Sequence, residues 1–135
     1  MEPTTPAPKM VGAATVLAVR DVAASTAYYR DALGFAVTFQ YGQMTYYVCL
    51  CRDDVLLHLL AVGGDVRLPG QGGLCVFVSD VDAMHGELKA RGARVIKAPA
   101  DYAYGMRDFD VTDLDGNRIT FGMASQDAGQ QATEG

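Results

Sequence analysis

The sequence predicts an α+β fold of two βαβββ modules, whose curved mixed sheets surround a groove. Three observations lead there. First, the chain repeats itself. Val16–Asp21 leads into a helical stretch that stops at Gly34, and Cys75–Asp80 leads into another that stops at Gly92. Asp21 and Asp80 are 59 residues apart. Second, later landmarks repeat as well. Arg52-Asp53-Asp54 precedes the apolar run Val55–Leu60, and Asp113-Leu114-Asp115-Gly116 precedes Asn117–Phe121. Third, each helix is followed by three short alternating segments, the signature of strands. Two related half-domains must pack together, and a groove between them is a natural ligand site.

Each element has a local reason. Residues 13–19 are rich in Val, Leu and Ala and read as the first strand. Asp21 is an N-cap. Val22, Tyr29 and Leu33 fall on one helical face, and Gly34 stands where a helix-ending glycine belongs. Phe35–Phe39, Thr45–Cys51 and Val55–Ala61 read as three strands. Residues 63–73, rich in glycine, are the linker. In the second half Leu74–Val78 is a strand and Asp80 an N-cap. Val81, Met84 and Leu88 share a helical face and Gly92 ends the helix. Arg94–Lys97, Met106–Thr112 and Arg118–Phe121 are strands, with a tight turn at Asp115-Gly116. The expected organisation is a flexible Pro-rich arm 1–9, a module 10–62, the linker 63–73, a module 74–123 and a flexible tail 124–135, all one structural domain.

Composition narrows the partners. Half the residues are apolar, the net charge is −5, and no basic cluster exists. That argues against nucleic acid and against an anionic membrane surface. The longest apolar run, Val55–Val62, is interrupted by His58 and is too short to span a bilayer. The start lacks the basic and apolar regions of a signal peptide. Cys49, Cys51 and Cys75 are an odd number without CxxC spacing. They read as reduced thiols in strands, in keeping with a cytoplasmic protein.

Strand alternation assigns faces. The set expected under the helices is Leu17, Val19, Val48, Leu50, Leu57, Leu59, Leu74, Val76, Val78, Phe109, Val111, Ile119 and Phe121. The opposite set faces the groove. It includes Tyr47, Cys49 and Cys51, then Leu56 and His58, Cys75 and Phe77, and Met106, Asp108 and Asp110. Phe39 and Tyr104 join these as aromatic candidates. Large rings in the loops Tyr41-Gly42 and Tyr102-Ala103-Tyr104-Gly105 have no obvious core to fill, and flat rings at a groove mouth suit a planar or heteroaromatic ligand.

Three polar groupings carry more than one reading. Cys49, Cys51 and His58 could share a face and bind a soft metal, or the cysteines could be small apolar strand residues. His58 reads either as a groove residue that hydrogen-bonds a ligand or as a satisfied buried histidine. Asp108 and Asp110 point the same way. They read as a solvated sheet face pairing with Arg118, as an acidic wall for a cationic ligand, or as a catalytic pair. His85, mid-helix, is expected to face solvent.

Three stretches resemble a known superfamily. They are Val19-Arg20-Asp21, Tyr28-Tyr29-Arg30-Asp31-Ala32-Leu33-Gly34-Phe35, and Tyr104-Gly105-Met106-Arg107-Asp108-Phe109 running into Asp113-Leu114-Asp115-Gly116-Asn117. Together they resemble the vicinal-oxygen-chelate superfamily of glyoxalases, extradiol dioxygenases and bleomycin-resistance proteins. Cys51-Arg52-Asp53-Asp54-Val55 resembles the bleomycin-resistance branch. The resemblance implies four metal-ligand positions, which here carry Ala14, His58, Gly73 and Thr120. Such a set lacks the three or so ligands that an open site needs, so no metal, no cofactor and no catalytic residue are expected. A homodimer is expected as well, because a groove this apolar would be a liability in a monomer. The Gly-rich linker lets the halves pair edge to edge or exchange with a partner's, strand exchange being the leading expectation. The resemblance implies that the 1–9 arm can cross to the partner. The leading functional expectation is sequestration of a small aromatic natural product or antibiotic without turnover. The alternative is an enzyme of the superfamily with a nonstandard site acting on a small metabolite.

Overall fold

The computed structural model describes residues 6–62 and 67–125. Parts of the expected arm (1–5), linker (63–66) and tail (126–135) lie outside the described residues. The first half runs β1 (Thr15–Val19), α1 (Val22–Asp31), β2 (Ala36–Tyr41), β3 (Tyr47–Arg52) and β4 (Val55–Ala61). The second runs β5 (Gly73–Phe77), α2 (Val81–Ala90), β6 (Arg94–Asp101), β7 (Met106–Thr112) and β8 (Arg118–Ala124). Each half is a four-stranded mixed sheet, in the orders β1-β4-β3-β2 and β5-β8-β7-β6. The first and last strands of a module are parallel neighbours, and the other pairs are antiparallel. The expected α+β architecture of two βαβββ modules is what the chain forms.

The helix boundaries follow from their caps. The Asp21 carboxylate accepts from the Ala24 amide at 3.0 Å, and the Asp80 carboxylate from the Ala83 amide at 3.0 Å. Each satisfies an amide that has no partner within the helix. Past the far ends, Gly34 and Gly92 take φ of 78° and 92°, a left-handed turn that costs glycine little.

The alternation selects the core. Leu17, Val19, Val48, Leu50, Leu57, Leu59, Val76, Phe109, Val111, Ile119 and Phe121 are buried in one continuous cluster, with Leu74 and Val78 packed against it. Tyr29, Leu33, Val81 and Leu88 come down onto it from the helices.

Two expectations need correction. β6 reaches Asp101 rather than ending at Lys97, because two irregularities, between Val95 and Lys97 and between Lys97 and Ala100, let it follow β7 without strict alternation. His85 is only half-exposed, since its ring sits edge-on to Phe109 with centroids 5.2 Å apart.

The halves meet along a polar seam beside this core. Tyr28 donates to the Thr112 carbonyl at 2.6 Å, and Tyr29 donates to Asp113 at 2.9 Å. Arg20 reaches Asp115, and the Asn117 amide group donates to the Ala18 carbonyl at 3.0 Å. Arg52 forms a fork on Glu87, at 2.7 and 3.0 Å. Burial and the adjacent Asp113 charge push the Tyr29 phenol far up, so it stays a donor.

Candidate functional site: two open sheet faces

On the first sheet, strand pairing aligns one row across four strands. Phe39 lies opposite Cys49, Cys49 opposite His58, and His58 beside Val16. Tyr47 stands on the same face, two residues from Cys49 on β3. Its hydroxyl lies 2.8 Å from His58 Nδ1, with the rings edge-on at 5.3 Å. This contact engages one of the two imidazole nitrogens. Leu56 and Phe39 are exposed beside them.

On the second sheet the equivalent row is Cys75, Thr120, Asp110 and Lys97. The next row holds Phe77, Gly122 and Asp108. A Cβ at position 122 would sit 2.7 Å from Met106 Cε and 3.3 Å from Asp108 Cβ, so the glycine makes room for both side chains.

Asp108 and Asp110 are not a solvated face. They are 3% and 4% exposed. Lys97 Nζ lies 2.6 Å from Asp108, Tyr104 donates to its other oxygen at 2.5 Å, Thr120 donates to Asp110 at 2.7 Å, and Arg118 stands 3.3 Å from Asp110. The pairing with Arg118 is present, but both carboxylates are committed within the protein. Burial pushes the Asp108 carboxyl up, yet the hydrogen bonds from Lys97 and Tyr104 and the Lys97 charge outweigh it and hold it below its usual range. Burial and the two carboxylates push the Cys75 thiol up, so it is a neutral surface group rather than a nucleophile. Lys97, absent from the sequence-based candidates, belongs to this face, beside the loop ring of Tyr102.

The donors at the superfamily's metal positions do not fit a divalent cation. Ala14 precedes β1, Gly73 opens β5, and Thr120 gives its hydroxyl to Asp110. His58 shares its Nδ1 with Tyr47. Among the described residues no three His, Cys, Asp or Glu side chains gather where they could hold an ion. Cys49, Cys51 and Cys75 are free thiols. Purified protein is therefore expected to carry well below one equivalent of Zn, Ni, Fe or Mn. Elemental analysis finding about one per chain, lost on His58→Ala, would refute this.

Neither face is closed within one chain. Phe39, Phe77 and Tyr104 are 56%, 74% and 65% exposed. The hydrogen bonds of the seam between the halves do not use these rings. A smaller cleft of about 200 Å³ opens between the halves, with Phe35, Arg52, Val55, Phe77 and Met84 among its walls.

Residues 13–121 match the family model described as Glyoxalase/Bleomycin resistance protein/Dioxygenase superfamily. The chain belongs to this superfamily. Among curated proteins, it is 33% identical over 106 residues to an uncharacterised protein of Mycolicibacterium smegmatis, covering 78% of this chain and 87% of that one. Among solved structures it resembles the bleomycin-binding protein of bleomycin-producing Streptomyces verticillus, solved with copper(II)-bleomycin. The TM-score there is 0.72 at 26% identity, covering 89% of this chain and all of that one. A glyoxalase/bleomycin resistance protein from Catenulispora acidiphila matches with TM-score 0.71 at 26% identity, over 86% of this chain and all of that one. TnmS3, an antibiotic-binding protein from Streptomyces sp. CB03234, shares the fold at TM-score 0.74 and 23% identity, over 89% of this chain and all of that one. No helix among the described residues is long and apolar enough to cross a membrane.

Proposed function

We propose that this protein binds and sequesters a small aromatic natural product, stoichiometrically and without turnover, in the cytoplasm. The observation that carries the reading is the pair of open, ring-bearing sheet faces on a scaffold whose family metal positions hold no ligand set. Likeness to a bleomycin-binding protein supports it. Phe39, Tyr47, Cys49, Leu56 and His58 form one wall; Cys75, Phe77, Tyr104, Met106, Asp108 and Asp110 form the other, the two carboxylates as its buried floor.

A second copy of the chain completes the site. The first sheet of one protomer faces the second sheet of its partner, which covers rings that a monomer leaves in water. Light scattering at micromolar concentration is expected to give the mass of two chains, and a mass of one chain would reject the dimer.

One observation favours the enzyme alternative. A tyrosine bonded to a histidine nitrogen beside a cysteine could move a proton. Native mass spectrometry of the protein with a compound captured from a producing culture separates the two. Sequestration predicts two unchanged molecules per dimer. Recovery of a chemically altered compound would reject it in favour of catalysis.

A further inference from the structure

The second sheet's exposed tyrosines are held in place. Tyr102 and Tyr104 lie with parallel rings, centroids 5.2 Å apart. Lys97 Nζ sits 4.0 Å from the Tyr102 ring centroid while bonding Asp108 at 2.6 Å and standing 3.9 Å from Asp110. The Tyr104 hydroxyl is tied to the same Asp108, whose carboxylate is buried. The backbone is fixed too. The Tyr102 amide bonds the Met106 carbonyl at 2.8 Å, and the Ser125 amide bonds the Gly105 carbonyl at 3.0 Å. A ring as exposed as Tyr104 would ordinarily sample several rotamers. Here one buried carboxylate and one ammonium order two rings at once.

We infer that Lys97 and Asp108 are positioning residues that hold Tyr102 and Tyr104 as a fixed two-ring stack, whose open face takes a flat, electron-poor or cationic heteroaromatic ring. This deepens the binding reading above and rests on it for the presence of a ligand. One face of Tyr104 lies against Tyr102, and its exposure leaves the other free. A phenol whose proton is drawn toward a carboxylate concentrates electron density in its ring, and an electron-rich face attracts a cation or an electron-poor ring. The pair already accepts one cation, Lys97, at Tyr102. Because the rings are ordered beforehand, binding loses less side-chain freedom. The hydrogen bond to Asp108 pushes the Tyr104 phenol up to about 12, which keeps it protonated and anchored at neutral pH.

The test has a ligand-free arm and a binding arm. With ¹³C-labelled tyrosine, the Tyr102 and Tyr104 ring resonances are expected to be displaced by each other's ring currents. In Lys97→Met they should move toward free-tyrosine positions, and in Asp108→Asn the Tyr104 phenol should ionise nearer to the ordinary value of about 10. In the binding arm, N-methylacridinium and neutral acridine are titrated at equal pH by fluorescence. Wild type is expected to prefer the cation by roughly 3- to 5-fold. Tyr104→Leu should abolish that preference. Lys97→Met should weaken the cation roughly 3-fold or more, although it makes the chain more acidic. A preference that survives Tyr104→Leu is steering by net charge and overturns the inference. So does unchanged binding in Lys97→Met, or a ring pair that NMR finds disordered in wild type. An ordered stack that binds neither probe also overturns it, and takes Tyr104 out of the wall of the proposed function. A disordered stack leaves that function standing on its other rings.

Discussion

Asp113→Ala is expected to destabilise the chain by roughly 3–5 kcal/mol, a large part of the stability of a domain this size. Asp113 is fully buried and accepts five hydrogen bonds. The amides of Asp115, Gly116 and Asn117 converge on Oδ1 at 2.9–3.0 Å, while Tyr29 and the Asn117 side chain reach Oδ2, both at 2.9 Å. Removing the acceptor strands five donors, of which the Tyr29 hydroxyl and the two from Asn117 are buried, each of these costing about 1–3 kcal/mol if left bare. The bond from Tyr29 also joins the halves, so the loss is not confined to the turn. Tyr29→Phe removes one donor without leaving a void and should cost only about 1–2 kcal/mol. Urea unfolding measures both, and Tyr29→Phe remains readable if Asp113→Ala does not fold. A loss under about 1 kcal/mol for Asp113→Ala would show that the buried network does not hold the halves.

The same residues explain why the sequence declares its superfamily so readily and its ligand so poorly. Arg20, Tyr28, Tyr29, Asp113, Asp115 and Asn117 all lie in stretches that carry the resemblance, and all of them bond across the seam or within its turn. These motifs specify how two modules dock. They say nothing about what the opposite faces hold, and one fold serves many functions.

The period-two alternation made the core and the open faces legible, because one face of each sheet is covered and a register slip would have exchanged them. It fails where the strand is irregular. The two irregularities in β6 remove the alternation that would have placed Lys97 over β7. Lys97 is therefore invisible as part of the face, although the loop ring of Tyr102 that it holds is legible. Asp108 and Asp110 were assigned to the correct side of β7, but their burial depends on Lys97 and Tyr104, which arrive from β6 and a loop. Alternation gives direction and cannot count the partners that come from elsewhere. For Tyr104, the absence of a core to fill agrees with the ring's exposure, and the structure adds the carboxylate that holds it.

Burial also changes which substitutions separate stacking from charge in the proposed ligand site. Asp108→Asn is not a clean test, since it releases Tyr104 as well as a charge. Arg118 is the better charge probe. Its side chain is 60% exposed on the second sheet, and screening by water should keep the effect of Arg118→Gln on binding below about 1 kcal/mol. The rings should matter more. Phe77→Ala and Tyr47→Ala are each expected to cost about 1–3 kcal/mol of binding, roughly a 5- to 150-fold loss of affinity. Phe77 projects from the second sheet and Tyr47 from the first, so a loss at both requires the ligand to lie between the two faces. Tyr47→Phe keeps the ring but loses its bond to His58, and it should retain most of the affinity if stacking dominates. Calorimetric titration of the four variants with the captured compound, each matched to wild type in mass and melting temperature, gives the answer. If Arg118→Gln weakens binding more than both ring-to-alanine changes, the ligand is held by charge, and the stacking account of this site is wrong.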